Sequence, residues 1–234
     1  MSRELRIFID SFFPILITGL KVTIPLTLIV FILGTLLAVI VAIIRIRKIK
    51  VLSQISWFYV WIIRGTPLIV QLFIVFFGLP KMGIIIPAIP AAIITFTLSV
   101  GAYSSEIVRS AILAVPTGQW EAAEALGFSY IQMMIKVILP QATKIAVPPL
   151  FNSFISLVKD TSLASTITVT EMFLATQRIT ARTYEPFILY IEVGLIYLIF
   201  CSVLTWLQSK VEDKLSFNKG KSIKKKEKSY VEVN

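Results

Sequence analysis

The chain has 234 residues, of which 56% are hydrophobic and only 15% charged, and its mean hydropathy is +0.85; that balance excludes an ordinary water-soluble domain. With no histidine and a single cysteine, disulfides, the usual zinc sites and histidine-based acid–base catalysis are excluded as well. The formal charge of +10 is concentrated in one loop and in the tail, a pattern that membrane topology explains and a nucleic-acid surface does not.

A bilayer core of roughly 30 Å takes about 20 mostly apolar residues as a helix, and the expected fold is an all-α integral membrane protein of about five transmembrane helices. The first span covers about 12–44 with Lys21 as its only charge, and Arg45, Arg47, Lys48 and Lys50 close it. No small-residue cleavage site follows, so it reads as a retained span. The second, about 55–79, contains Arg64, and Gly65, Thr66 and Pro67 weaken the helix just after it. The third, about 87–115, contains Glu106 and Arg109. A fourth, about 145–165, holds Pro148 and Pro149 and ends in Lys159, Asp160 and the hydroxylic residues Thr161, Ser162 and Ser165. The fifth, about 187–209, has Glu192 as its only charge and buries Cys201.

Lys and Arg placement orients the set, because basic loops remain cytoplasmic. Four basic residues between Arg45 and Lys50, and eight lysines from Lys210 to Lys228, put both regions inside. Five spans then place the N-terminus outside and the C-terminus in the cytoplasm. The membrane domain is expected over 1–214, with a lysine-rich tail over 215–234 that reads as disordered and within reach of anionic lipid headgroups. Gly220, Lys221 and Ser222 resemble a fragment of a phosphate-binding loop, but Leu215 stands where its first glycine belongs.

Between spans three and four the sequence turns polar, at WEAAEALGFSYIQMMIKVILPQA (120–142). GQWEAAEAL is strongly helix-forming, and Gly127 suits the left-handed position that ends a helix. Ser129 as N-cap with Gln132 completes a capping box, and Pro140 is expected to mark the far end. Two short helices joined by a tight bend result. On physics alone two readings stand: insertion into a groove of a soluble partner, with Glu121 pairing a basic residue and Ala122 and Ala123 allowing close approach, or an amphipathic loop lying on the headgroups.

Glu121, Ala122, Ala123, Gly127, Val137, Leu139 and Pro140 resemble the EAA signature of ABC importer permeases, with valine at 137 where isoleucine is usual. RGTPLIVQLFIVFFGLP (64–80), GAYSSEIVRSAI (101–112), VPTGQWEAAEALG (115–127) and SLVKDTSLASTITVTEMF (156–173) resemble the polar amino acid permeases, the branch of histidine, glutamine, arginine and cystine carriers. SLVKDTSLAS together with ARTYE (181–185) looks most like the cystine permeases. The resemblance implies a type I importer permease in a bacterial cell membrane, working as a homodimer or heterodimer of permease chains. It further implies a cytoplasmic ABC ATPase dimer that carries the ATP and Mg, leaving this chain without cofactor, and an extracellular solute-binding protein. The cargo implied is a polar amino acid, L-cystine favoured, with no enzymatic activity and no nucleic-acid partner. The loop 116–141, through Glu121, Ala122, Ala123 and Gly127, would couple the spans to the ATPase.

Charges inside spans cost about 2.5–3.5 kcal/mol each on insertion scales, which makes them candidate pathway residues. Asp160 can receive a substrate ammonium with Thr161 and Ser162 supplying hydroxyls, or can form a structural network with Lys159. Glu106 and Arg109 share a helical face and can pair; Glu106 is the deeper, with Tyr103, Ser104 and Ser105 beside it. Arg64 can hold a carboxylate or pair with an acidic residue of another span. The candidate substrate residues are therefore Asp160, Thr161, Ser162, Glu106, Ser104 and Arg64, with no catalytic residue and no metal ligand expected. Glu171, Arg178 and Arg182 are expected in solvated outer segments where a binding protein docks. Two competing readings are a self-sufficient ion-coupled transporter or channel using Asp160 and Glu106, and a membrane enzyme built on Asp160, Lys159 and Ser162.

Overall fold

The computed structural model describes residues 3–231, with side chains described through Leu215, and is built of helices throughout that range. The lysine-rich tail, expected to be disordered, continues α10 as helix to Val231, and its side chains beyond Leu215 lie outside the described residues. α1 (Arg3–Thr18) passes through a π-helical turn (Gly19–Thr23) into α2 (Ile24–Ile46), so that 44 residues form one apolar span-length unit that starts earlier than expected. α3 (Lys50–Gly65) and α4 (Leu68–Phe73) follow, then a π turn (Ile74–Gly78) and a 3-10 turn (Leu79–Met82). α5 (Ala88–Leu113) is the second apolar span-length helix, and α10 (Pro186–Val231) supplies the third over Pro186–Leu215. Residues Lys50–Gly65 and Leu68–Met82, bent by 107° at Thr66 and Pro67, are together long and apolar enough for a fourth. The expected fourth span is α8 (Leu139–Asp160), less apolar than these, with Pro148 and Pro149 inside it.

Proline marks where the helices change gauge. Each of the three π turns stands just before a proline: Gly19–Thr23 before Pro25, Ile74–Gly78 before Pro80, Met134–Ile138 before Pro140. Proline lacks the N–H that an α-helix aims four residues back, and its ring crowds that carbonyl; widening the preceding turn relieves the crowding. Pro140 therefore does not end the second short helix as expected. The chain continues through it from α7 (Tyr130–Met133) into α8.

α2 and α5 run side by side in the same direction, with Gly34 against Val100 and Arg45 against Glu106. Their approach depends on missing side chains: a Cβ at Gly34 would lie 2.6 Å from Val100 Cγ1, and one at Gly101 would lie 2.7 Å from Leu37 Cδ2. Leu26, Val30, Leu72, Phe96 and Leu157 fill the core that results. α9 (Met172–Thr183) joins α1 and α10 in a second core of Ile15, Met172, Val193 and Ile196. Beside it Glu192 is fully buried and accepts a 2.6 Å hydrogen bond from Ser11 Oγ. Cys201 is half-buried, less enclosed than expected.

Candidate functional site

The short helices of the polar insert fold as their sequence specifies. α6 (Thr117–Ala125) ends with the Gly127 N–H donating to the Glu124 carbonyl at 2.9 Å and the Phe128 N–H to Ala123 at 3.1 Å. That reciprocal pair needs a left-handed residue between, and Gly127 has φ +75°. Ser129 then caps α7, its Oγ accepting from the Gln132 N–H while the Gln132 side chain accepts from the Ser129 N–H. Glu121 and Ala122 are exposed, but Ala123 is 2% exposed and packs with Val108, Ile112, Met133 and Ile138. Ala123 thus seats α6 on its own chain, a correction to the expectation that it lets a partner approach. Leu126, Ile131 and Ile135 of the insert stand 60–74% exposed, and Glu121 and Glu124 of α6 are exposed as well.

A cavity of about 430 Å³ lies between α5 and α8, within the roughly 300–1,000 Å³ usual for small-molecule sites. From α5, Phe96, Ser99, Val100, Tyr103 and Ser104 face it, a 3.6-residue repeat; from α8, Asn152, Ser153, Ser156 and Asp160 return at similar spacing. Among the described residues no hydrogen bond or salt bridge reaches the Asp160 carboxylate, and the buried Ser104 Oγ finds no partner. Ser99, Asn152, Ser153 and Ser156 escaped the sequence reading, although their helical spacing ahead of Asp160 is visible in the chain.

Thr161 and Ser162 stand outside this cavity, contrary to expectation. A 3-10 turn (Thr161–Ile167) follows Asp160; Thr161 Oγ1 is buried and donates to the Val158 carbonyl at 2.7 Å. Ser162 Oγ donates to the Lys159 carbonyl at 2.7 Å, and both residues line a separate, mostly apolar cavity of about 510 Å³ with Phe173, Tyr190 and Tyr197. Adjacent residues on a helix point to different faces, so Lys159 does not share the Asp160 cavity.

Glu106 and Arg64 belong to a second cavity, of about 440 Å³, with Arg45, Trp57, Trp61 and Tyr103. Glu106 and Arg109 pair as expected, at 3.0 Å, and Arg45 hydrogen-bonds the other carboxylate oxygen. Arg64 Nη1 stands 4.0 Å from that oxygen, an ion pair with an acidic residue of another span as one of its two readings expected, and its guanidinium lies over the Tyr103 ring at 5.5 Å. The helix is not merely weakened after Arg64 but broken, and Gln71 closes the joint. Its Nε2 donates to the Ile63 and Thr66 carbonyls and to Thr66 Oγ1 at 2.8–3.1 Å, partnering carbonyls that the break frees. At the start of α9, Glu171 is fully buried, capping the helix by accepting from the Phe173 and Leu174 N–H groups, so it is no solvated docking residue; Arg178 and Arg182 are exposed.

Span-length helices, a broken span with a polar cavity beside it, and a capped helical insert between α5 and α8 are the parts of a membrane transport component. Residues 34–217 match the family of binding-protein-dependent transport system inner membrane components. The chain belongs to that family. As an inner membrane component of such a system it is a multi-pass membrane protein and the transport part of its assembly. It is 48% identical over 207 residues to the L-cystine transport system permease protein TcyB of Bacillus subtilis strain 168, covering 88% of each chain. To the probable amino-acid ABC transporter permease YckA of the same strain it is 40% identical, over 89% of this chain and 92% of that one. A solved amino acid ABC transporter with histidines superposes with a TM-score of 0.84 at 33% identity, over 92% of this chain and 99% of that one. The methionine transporter MetNI in an inward-facing form matches at 0.69 with 21% identity, over the same shares of the two chains, a likeness of fold.

Proposed function

We propose that this chain is the permease subunit of an ATP-driven importer of polar amino acids, L-cystine before others, with the cavity between α5 and α8 as its substrate site. The observation that carries the reading is the Asp160 carboxylate, without a hydrogen bond or salt bridge among the described residues, at the end of a helix face made of Asn152, Ser153 and Ser156. An amino acid brings an ammonium that such a carboxylate attracts, and hydroxyl and amide groups hold the rest without a strong cage, so that the solute can leave again. The similarity to a permease named for L-cystine supports the choice of cargo.

In this reading the N-terminus is outside, five spans cross the membrane, and the insert carrying Glu121 and Gly127 faces the cytoplasm. Exposed Leu126, Ile131 and Ile135 dock on an ATPase subunit, which holds ATP and Mg. A second permease chain completes the pathway, and an extracellular binding protein delivers the solute. Purified with its ATPase and binding protein and placed in liposomes, the complex takes up labelled L-cystine only when ATP is supplied. Asp160→Asn lowers that uptake about tenfold while the complex still assembles. Unchanged uptake kinetics in the variant sink the site, and uptake by the chain alone, without ATPase, sinks the importer.

A further inference from the structure

The second cavity carries more positive charge than its architecture uses. Arg45, Arg64 and Arg109 surround one carboxylate, Glu106, whose two oxygens are already taken: Oε1 by Arg45 and Oε2 by Arg109 Nε and Nη2, both at 3.0 Å. Arg64 is the third guanidinium. It makes no hydrogen bond among the described residues, stands 4.0 Å from Oε1, and its side chain is 46% exposed. Two positive charges remain in excess, and Glu106 keeps its charge balanced without Arg64. A guanidinium with all its donors available, braced on the Tyr103 ring beside the stacked Trp57 and Trp61, is arranged to take a planar anion.

Position decides which anion. Tyr103 lines both this cavity and the one containing Asp160. Gly65 lines the arginine cavity and Leu68 the other, so the two meet across the broken joint at Thr66 and Pro67 as well. One side of that boundary offers the Asp160 carboxylate, which takes no hydrogen bond or salt bridge among the described residues, the other the Arg64 guanidinium, held only by a 4.0 Å ion pair with Glu106. A zwitterion crossing it meets a partner for each of its charges in turn. Arg45 belongs to the basic stretch at 45–50, which topology assigns to the cytoplasm, so the arginine side is the inner one.

We propose that the Arg64 cluster is a second station on the pathway, which receives the carboxylate of the amino acid as it passes Tyr103 toward the cytoplasm. This rests on the importer reading above. Glu106, already held by Arg45 and Arg109, lowers the local positive potential, so the station holds the anion loosely enough to release it. The phosphate of an anionic lipid headgroup has the same recognition chemistry, and the experiment separates the two.

Equilibrium binding of L-cystine and of cystamine, its decarboxylated counterpart, is measured on the permease–ATPase complex in phosphatidylcholine nanodiscs, without binding protein. Arg64→Gln weakens L-cystine binding about tenfold and leaves cystamine unchanged, and Arg64→Lys restores part of the loss. Asp160→Asn weakens both ligands, since both carry ammonium groups. An equal effect of Arg64→Gln on the two ligands, or no effect on either, overturns the station. Asp160→Asn without effect on either removes the Asp160 site and leaves the station standing. If the wild-type complex binds L-arginine and not L-cystine, the cargo reading fails and the same comparison runs with L-arginine against agmatine. If phosphatidylglycerol in the nanodisc displaces L-cystine from the wild type but not from Arg64→Gln, the cluster is a lipid headgroup site and the proposal falls.

Discussion

At the scale of single residues, the acidic side chains divide by how their charge is met. Glu106 is ringed by guanidiniums, whereas Glu171 has only two backbone N–H groups and the Tyr197 hydroxyl, at 3.3 Å. Burial outweighs those hydrogen bonds and pushes the Glu171 carboxyl up to about 7. The folded protein therefore binds a proton there over a range in which the unfolded chain has lost it. The resulting stability is full below the ordinary glutamate value near 4.5 and disappears as pH rises through about 7. Melting temperatures of the purified protein should fall between roughly pH 5 and 8, by an amount reflecting on the order of 3 kcal/mol. Glu171→Gln should flatten that slope; a slope of the same size in the variant would show that another group causes it.

Among the elements, the insert is the one whose shape follows most directly from local chemistry. Gly127 at φ +75° ends α6, and three residues suffice before Ser129 and Gln132 close the box that starts α7. Nothing lies within 4 Å of a Cβ built on Gly127, so a substitution there is opposed by backbone conformation and not by crowding. A β-branched side chain in the left-handed region costs roughly 1–2 kcal/mol. Gly127→Val should therefore reorient α6 against α7 and abolish ATP-driven uptake while the spans still assemble, as gel filtration of the purified chain checks. Full uptake in that variant would mean the bend transmits nothing. The proline-linked π turns follow the same local logic, and they explain why Pro140 redirects a helix that a simple breaker rule ends at that point.

For the whole molecule, the open question is how a movement at the insert reaches the cavity. Ala123, Met133 and Ile138 pack into one core with Ala42, Val108 and Ile112, so the insert is bolted to the C-terminal ends of α2 and α5. α5 carries Ser99, Tyr103 and Ser104 on the cavity wall. Glu121 is exposed on α6, and Glu121→Lys should release the ATPase in co-purification and abolish uptake; normal association in that variant would remove it from the interface. The helical membrane character of the chain, the cap at Ser129 and the left-handed turn at Gly127 were legible in the sequence, because each depends on residues a few positions apart. Asp160 stood out in the sequence as a costly charge and Ser104 only as a neighbour of Glu106; the structure lines one cavity with both. Which polar groups share a space depends on the packing of the helices. Arg45, Arg64 and Arg109 come from three helices to one carboxylate, Thr161 and Ser162 turn away from Asp160, and Glu171 goes inside. One residue along a helix rotates a side chain by about 100°, so the partners of a polar group depend on how distant helices cross and not on what lies beside it in the chain.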